Sequence, residues 1–467
     1  MVVKVAGSPL LAPSYRRLLV VSMLVICTFN FADRAVFSVL VQPIKADLKL
    51  TDFQIGILQG LSFAILYALL GLPIGRLAEY YNRVRIVAIA TAIWSVMTVA
   101  TGISQNFIQL MFSRVGVGMG EAGFVAPTSS LVSDHFPANR RASIMALVML
   151  GTPVGIFLGS LVAGWVADHW HWRVAFWALG IPGVASACLL TVVLREPPRG
   201  LADGIPPTQD PPPDFMTFLR VVTAKRSMLC MILAGGTAGF GMNAIGQFLA
   251  VYLARVLEMS IREAGAFYGT ISGLSLGLGL LVGSFGTDWL AKYDRRWPAW
   301  GSAIGLVLAP LIYYLAFGTR DRLLASILLT IAGSTLLFYY APTIAMIQNM
   351  LEPRMRASGV ALFTMLFTIF GAGMGPTFVG FMSDHFAKTA FTGGVFFELC
   401  PGGLAPDGAL PALASACDAA SAQGLQQALY LAVSVLFVSA LIYYLGSRSM
   451  LRDLYVPVHN LYTGRTS

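Results

Sequence analysis

Asp33 and Arg34 stand side by side inside LLVVSMLVICTFNFADRAVFSVLV, residues 18–41, a stretch otherwise apolar enough to cross a bilayer. A charge in hydrocarbon costs about 2.5–3.5 kcal/mol on insertion scales, so ionisable groups there face a partner or a water-filled path and mark ion or substrate routes. Two more, Arg114 and Glu121, fall in the apolar stretch 107–132. At a helical rise of about 1.5 Å per residue, Asp33 and Arg34 lie about 10–12 Å in from one end of their helix, Arg114 lies about 10 Å deep, and Glu121 about 10 Å deeper. Two carboxylates and two guanidiniums at such depths can neutralise one another, and Arg34 is expected to pair with Glu121. Burial disfavours a carboxylate's charged form and a nearby guanidinium favours it, so a carboxylate that gains or loses an arginine changes its proton affinity. That is proton-coupling chemistry for Asp33 and Glu121. Arg34 and Arg114 could instead hold an anionic head group, because guanidinium favours bidentate contacts to carboxylate or phosphate. The structural alternative is a static ion-pair network, although buried pairs often contribute little net stability.

Membrane helices must position these residues. The 467 residues are 57% hydrophobic and 11% charged, with a mean hydropathy of +0.73, far from the roughly 25% charge of a soluble domain. Apolar runs of about 20 residues, enough to span about 30 Å of hydrocarbon as helix, recur along the chain. They are continuous rather than alternating, which selects helices over a barrel. Twelve spans are expected, from 18–41 through 107–132 to 425–446. A basic arm (Lys4, Arg16, Arg17) precedes the first, which shows no small-residue cleavage site and is expected to remain as an anchor. Alternate loops put about 21 of the Lys and Arg residues on the side of both termini and about 8 opposite, so both termini are expected in the cytoplasm.

Several classes are disfavoured. The net charge of +9 is scattered over short loops, so it reflects topology rather than a nucleic-acid partner. No Walker loop or placed Ser/His/Asp set points to an enzyme. Gly118-x-Gly120-x-x-Gly123 matches a dinucleotide pattern only literally, since no strand precedes it, and its small residues suit close helix approach. No Cys/His cluster has metal-site spacing, and no cofactor is expected beyond a proton gradient as energy source. Cys400 and Cys417 share a long loop, 385–424, where a disulfide is open to geometry.

The expected organisation is a six-helix bundle over 1–194, a cytoplasmic linker over 195–227 and a second six-helix bundle over 228–467 that includes the long outer loop 385–424. The linker carries REPPRGLADGIPPTQDPPPD, suited to an extended connection, then Phe215, Phe218, Leu219 and Val222 at the spacing of a short interfacial helix. The halves resemble each other. Gly155, Gly159, Gly164 and Asp168 recur 216 positions later as Gly371, Gly375, Gly380 and Asp384, and Gly56 and Gly60 recur at an offset of 209 as Gly265 and Gly269. Such repeats of six-helix halves belong to carriers whose halves rock around a central site.

GRLAEYYNRVR (75–85) resembles the loop between the second and third helices of the major facilitator superfamily, with Glu79 for the usual Asp and Asn82 for a Gly. Asn30-Phe31-Ala32-Asp33-Arg34 is similar to the first-helix signature of its Spinster branch, with Phe31 for Tyr. Gly120-Glu121-Ala122 with Ala126-Pro127-Thr128 and Ser133-Asp134 resembles that branch's fourth helix. The resemblance covers nearly the whole chain and implies an all-α membrane protein of twelve transmembrane helices in two pseudo-symmetric bundles. It also implies a conformational latch through Gly75, Glu79, Arg83 and Arg85 between helices two and eleven. Animal members of the branch are linked to sphingosine phosphate or lysophospholipid transport, often proton-coupled; the compact termini suggest a bacterial relative.

The second half offers neutral cavity candidates: Phe240, Asn243, Gln247, Tyr339, Tyr340, Phe363 and Phe367. A charged wall facing an aromatic one suits an amphipathic molecule. The expected function is therefore a proton-coupled secondary transporter of an amphipathic or lipid-like substrate, a monomer in the plasma membrane (the inner membrane in a bacterium) whose partners are the lipid bilayer, that substrate and protons. The alternatives are a carrier for an organic anion, drug or sugar derivative, or a non-transporting sensor on a carrier fold.

Overall fold

The computed structural model describes residues 9–199, 201, 215–352, 355–406 and 408–454. Lys4 of the basic arm and residues 202–214 of the expected linker lie outside them. The described residues are helical throughout, with no strand among them. In chain order the helices are α1 (Pro13–Val39), α2 (Val41–Leu48), α3 (Asp52–Gln59), α4 (Leu61–Tyr80), α5 (Arg83–Ile103), α6 (Phe107–Glu121), α7 (Val125–His135), α8 (Ala138–Met149), α9 (Gly151–His169) and α10 (Trp172–Val193). They continue with α11 (Phe215–Ala224), α12 (Arg226–Arg255), α13 (Ile261–Leu290), α14 (Trp297–Gly318), α15 (Arg322–Leu336), α16 (Tyr340–Asn349), α17 (Arg356–Leu366), α18 (Gly375–Ala390), α19 (Phe396–Leu399) and α20 (Pro411–Asp453). A π-helical stretch, Phe367–Met374, joins α17 to α18. Such stretches interrupt α-helices at functional positions more often than elsewhere.

Eleven helical segments among the described residues are long and apolar enough to cross a membrane. The expected fourth span, 107–132, is not one of them, because it is broken after Glu121 into α6 and α7. Gly123 and Phe124 tighten the chain there with amide bonds to the carbonyls of Gly120 (3.0 Å) and Glu121 (3.2 Å). The stretch 385–424, read from the sequence as loop, is helical at both ends: α18 runs to Ala390 and α20 begins at Pro411. Alanine-rich PALASACDAASAQ explains the latter, since alanine is the best helix former and hydropathy alone overlooks it. The linker helix forms as α11, with Phe218 and Val222 buried.

The chain divides into two compact units, one of Met1–Gln209, Asn243–Gly273 and Ala372–Leu429, the other of Asp210–Met242, Leu274–Gly371 and Tyr430–Ser467. In the first unit, Met23, Trp94, Val117 and Phe124 form part of a core among α1, α5, α6 and the start of α7. Close backbone approach through glycine brings its other helices together. A Cβ on Gly159 of α9 would lie 2.6 Å from Ala32 Cα of α1, so only glycine lets these two helices meet. Gly118 faces the backbone of Phe63, and Gly120 faces that of Trp94, so the glycine pattern of α6 wedges it between α4 and α5.

The internal repeat becomes physical in the same unit. Gly56 of α3 meets the carbonyl of Pro376, and Gly60 meets that of Gly373; at the equivalent positions of the other half, Gly265 of α13 meets the carbonyl of Ser160 and Gly269 the backbone of Phe157. The cap repeats as well. Thr51 and Gln54 form a reciprocal capping box on α3, and Ser260 and Glu263 exchange the same two bonds ahead of α13.

In the second unit, Gly279 and Gly283 of α13 press on Ser334 and Phe338. Tyr339 and Tyr443 are fully buried beside them, and the Tyr443 hydroxyl shares a 2.5 Å hydrogen bond with Thr343.

Gly159→Leu should lower stability by about 1–3 kcal/mol or more through overpacking against α1, read as a fall in the thermal midpoint of purified protein. Gly277→Ala, where a Cβ meets nothing within 4 Å, should leave the midpoint unchanged or raise it. Equal effects would mean that α1 and α9 do not depend on the glycine contact.

Candidate functional site

The first unit gathers all four charges of the expected spans. Arg34 Nε donates to Glu121 Oε2 at 2.7 Å, and a terminal nitrogen of the same guanidinium reaches that oxygen as well. The Glu121 side chain is 0% exposed and that of Arg34 27%. The buried partner is therefore the carboxylate, and the guanidinium is its outer face. Glu121 comes to this place because α6 ends on it, at the break that shortens the fourth span.

Aromatic rings enclose both arginines. The guanidinium carbon of Arg34 lies 4.4 Å from the Phe63 ring centroid, 5.1 Å from that of Phe31 and 5.4 Å from that of Tyr67. The guanidinium carbon of Arg114 lies 4.5 Å from the Phe37 centroid and 5.9 Å from that of Phe63. Arg114 is buried; among the described residues it has no ion pair, and its Nε has no hydrogen-bond partner. The faces of these rings add to the electrostatic compensation from the nearby Glu121 and Asp33 carboxylates. Asp33 is also buried. Its Oδ2 accepts from Thr98 Oγ1 at 2.9 Å, while its Oδ1 has no protein donor. One carboxylate is thus paired with an arginine of α1 and the other held by a hydroxyl of α5. Thr98, Phe37, Phe63 and Tyr67 were not singled out in the sequence, since a threonine and three aromatics in apolar runs carry no signal of their own.

The neutral candidates separate. Gln247 Oε1 accepts from Ser38 Oγ at 2.6 Å, and its carbonyl accepts from Gln59 Nε2 at 3.0 Å, so it joins α12 to α1 and α3. Asn243 is half-buried on the same helix. In the second unit, Tyr340, Phe363 and Phe367 form one aromatic cluster with centroids 5.6–6.5 Å apart. Phe240 and Phe367 are half-buried, whereas Tyr339 and Phe363 are buried in helix contacts.

Arg83, from the loop motif 75–85, is fully buried. Its Nε donates to Glu196 Oε1 at 2.7 Å, one terminal nitrogen donates to Ser130 Oγ at 2.8 Å and pairs with Asp134, and the other donates to the Pro197 carbonyl at 3.2 Å. It anchors the chain leaving α10 to the ends of α5 and α7. Asn82 caps α5 by accepting from the Arg85 amide at 2.8 Å, which gives its side chain a use there. Glu79 and Arg85 are exposed, and Gly75 is half-buried near Ala126.

A second charged cluster was missed altogether. Asp52, the first residue of α3, accepts from Lys45 Nζ at 2.5 Å, from Arg255 at 2.6 and 2.9 Å, and from Ser383 Oγ at 2.6 Å. Asp384 at the end of α18 accepts from the amides of Asp52 (3.0 Å) and Phe53 (2.9 Å), capping α3 from another helix. Lys45 is buried; burial and the neighbouring Arg255 guanidinium hold its ammonium below the ordinary value, against the pull of Asp52. Asp47 lies nearby and is half-exposed; burial would raise its pKa, but the hydrogen bond and charge of Arg173 outweigh that and hold it low. Lys45, Asp52 and Arg255 read as ordinary loop and helix-end charges because they are far apart in sequence. The internal repeat carried the one available signal, at Asp384.

The family model of the Major Facilitator Superfamily matches residues 23–376. The chain is 31% identical over 430 residues to an MFS-type efflux pump of Mycolicibacterium smegmatis, with 91% of each covered. It is 26% identical over 374 residues to the sphingosine-1-phosphate transporter SPNS2 of Xenopus tropicalis, covering 76% of this chain and 71% of that one. The crystal structure of a bacterial homologue of the human lysosomal transporter Spinster, inward-facing and unoccupied, matches with a TM-score of 0.87 at 30% identity. That match covers 96% of this chain and 100% of the other.

Arg83→Ala takes the guanidinium from Asp134 and Glu196, and loss of a buried charged partner costs about 3–5 kcal/mol; because Glu196 is partly exposed and keeps the amides of residues 83 and 84, about 3 kcal/mol is expected as a lowered thermal midpoint. Arg83→Lys should recover only part of it, since one ammonium cannot replace a fork of donors. An unchanged midpoint in Arg83→Ala would remove this residue as an anchor.

Proposed function

The chain belongs to the Major Facilitator Superfamily, and from that premise we propose a proton-coupled, Spinster-like carrier that moves an amphipathic, lipid-like anion by alternating access. It is a multi-pass membrane transporter related to Spinster and SPNS2 proteins; the coupling ion and substrate class are the proposal.

The observation that carries it is the asymmetry of the Arg34–Glu121 pair. A carboxylate with 0% side-chain exposure is paired with an arginine whose side chain is 27% exposed. An anion arriving at Arg34 competes with Glu121 for the same donors. Once Arg34 turns to the anion, Glu121 is a desolvated carboxylate without its counter-charge, and taking up a proton relieves the cost. Release of the anion returns Arg34 to Glu121 and expels the proton. Asp33, with one oxygen on Thr98 and the other without a protein donor, is the second group able to hold a proton. Exchange of partners at one guanidinium thus links substrate and proton without any moving cofactor.

The surroundings support an amphipathic substrate. Arg114 brings a second buried cation to the ring of Phe63, and the rings of Phe31, Phe37, Phe63 and Tyr67 offer apolar surface beside the charges. The excess of Lys and Arg in alternate loops supports cytoplasmic termini in a plasma membrane, with the monomer as the working unit. A second reading, an organic dianion carrier, is favoured by one feature: both guanidiniums lie over the single ring of Phe63, close enough to share two acidic groups.

Proteoliposomes under an imposed proton gradient test the proposal, with lysolipids, sphingoid phosphates and small organic dianions as substrates. Proton movement that depends on lysolipid or sphingoid phosphate, and disappears in Asp33→Asn or Glu121→Gln while the protein stays folded, is expected. Preference for the small dianions selects the second reading. No proton movement despite demonstrable binding would end the coupling mechanism. Arg114→Ala should raise KM for anionic substrates about tenfold or more, the worth of one charged hydrogen bond of about 1.5–3 kcal/mol; an unchanged KM removes Arg114 from recognition.

A further inference from the structure

The cluster around Asp52 has a covalent neighbour to which the sequence assigned no part in it. Cys400 and Cys417 form a disulfide, with their Cα atoms 5.8 Å apart. Cys400 leads directly into the turn Pro401–Gly403, and Cys417 lies one helical turn before Ser421 on α20. Gly402 and Gly403 have φ of +67° and +80°, left-handed values that glycine adopts without the Cβ clash. Gly402 lies on the backbone of Lys49, where a Cβ would be 2.9 Å from the carbonyl carbon, and Gly403 lies on Lys45, where a Cβ would be 3.0 Å from Nζ. The Gly403 carbonyl accepts from Ser421 Oγ at 2.5 Å. The disulfide-bound turn is therefore seated on the two lysines that enter α3, behind the Lys45–Asp52 bond.

Among the described residues this arrangement exists in one half only. At the pseudo-symmetric contact between α13 and α9, Ile261 stands where Asp52 stands, and the counterpart of Asp384 is Asp168, which is exposed. The glycine contacts of the two halves match, yet a buried set of two cations and two carboxylates closes just one of them. In a carrier that opens alternately to each side, such a set acts as a clasp: its four hydrogen bonds to Asp52 must break or exchange before α3 can leave α18 and the end of α12.

We propose that the Cys400–Cys417 disulfide is a positioning element for this clasp, holding the Gly402–Gly403 turn against Lys45 and Lys49 so that the Lys45–Asp52–Arg255–Asp384 cluster stays closed. Without the tether, the turn keeps no covalent attachment to α20 beyond the chain itself, only bonds such as that of Ser421 to Gly403, and the clasp opens more often. The inference rests on the alternating-access reading, but its test needs neither substrate nor proton gradient, so each can fail without the other.

Hydrogen exchange of the full chain in lipid nanodiscs provides that test, because local opening sets amide exchange. In Cys400→Ala/Cys417→Ala, amides of residues 49–57 should exchange about tenfold faster or more, with those of 85–103 in α5 unchanged. Asp52→Asn, which keeps the disulfide, should accelerate the same amides. Adding it to the cysteine pair should give no further increase, since both changes act through one opening. Unchanged exchange at 49–57 in the cysteine variant overturns the proposal, as do additive effects. Faster exchange at 85–103 in that variant also overturns it, by making the disulfide a staple of the whole fold. If Asp52→Asn loosens α5, Ser383→Ala, which removes one bond to Asp52, takes its place in the cycle.

Discussion

An ionised carboxylate taken out of water costs several kcal/mol unless other donors replace its hydration, and the first unit is organised around meeting that requirement. Glu121 and Asp52 both lie where little or no water reaches them. Each is met by a guanidinium from a helix distant in sequence, Arg34 for one and Arg255 for the other. The two solutions differ in completeness. Asp52 has four donors and its neighbour Asp384 takes two backbone amides. Glu121 has one ion pair, with an Arg34 side chain that is 27% exposed, and the charge of Arg114 nearby. A fully satisfied cluster resists change, whereas a carboxylate with a single ion pair has fewer bonds to exchange.

Those partners can meet only because the helices carrying them come unusually close. Glycines at the crossings of α1 with α9, α3 with α18 and α13 with α9 remove the Cβ atoms that would hold the backbones apart. In lipid there is no hydrophobic force between helices, so close packing and interhelical bonds must supply cohesion. Smooth glycine surfaces also suit helices that slide or separate. The repeat of these crossings in both halves gives the chain two equivalent joints, and the charge set at one of them makes the joints chemically unequal.

The break between α6 and α7 shows how a local irregularity serves the site. An uninterrupted helix over 107–132 would have satisfied length and hydropathy. Ending α6 at Glu121 and turning through Ala122–Phe124 costs regular hydrogen bonds, but it places the carboxylate at a helix end, beside Arg34. Arg114 lies two turns earlier on the unbroken part, where Phe37 and Phe63 flank it. Cation–ring contacts leave its Nε without a hydrogen-bond partner among the described residues.

By itself the sequence determined that the chain is a bundle of membrane helices, because about 20 apolar residues in a row have no other stable state in a bilayer. It also exposed Asp33, Arg34, Arg114 and Glu121, since a charge is conspicuous against an apolar background, and the half-repeat, since glycines at matching positions report matching crossings. Tertiary structure alone decided the rest. The α6 break escaped notice because glycine-rich turns and packing glycines look alike in sequence. Thr98, Phe63 and Tyr67 acquire meaning only from what stands opposite them. Lys45, Asp52, Arg255 and Asp384 look like scattered helix-end charges until the fold brings residues more than 300 positions apart within hydrogen-bond reach, and the pairing of Cys400 with Cys417 depended on geometry that spacing does not encode.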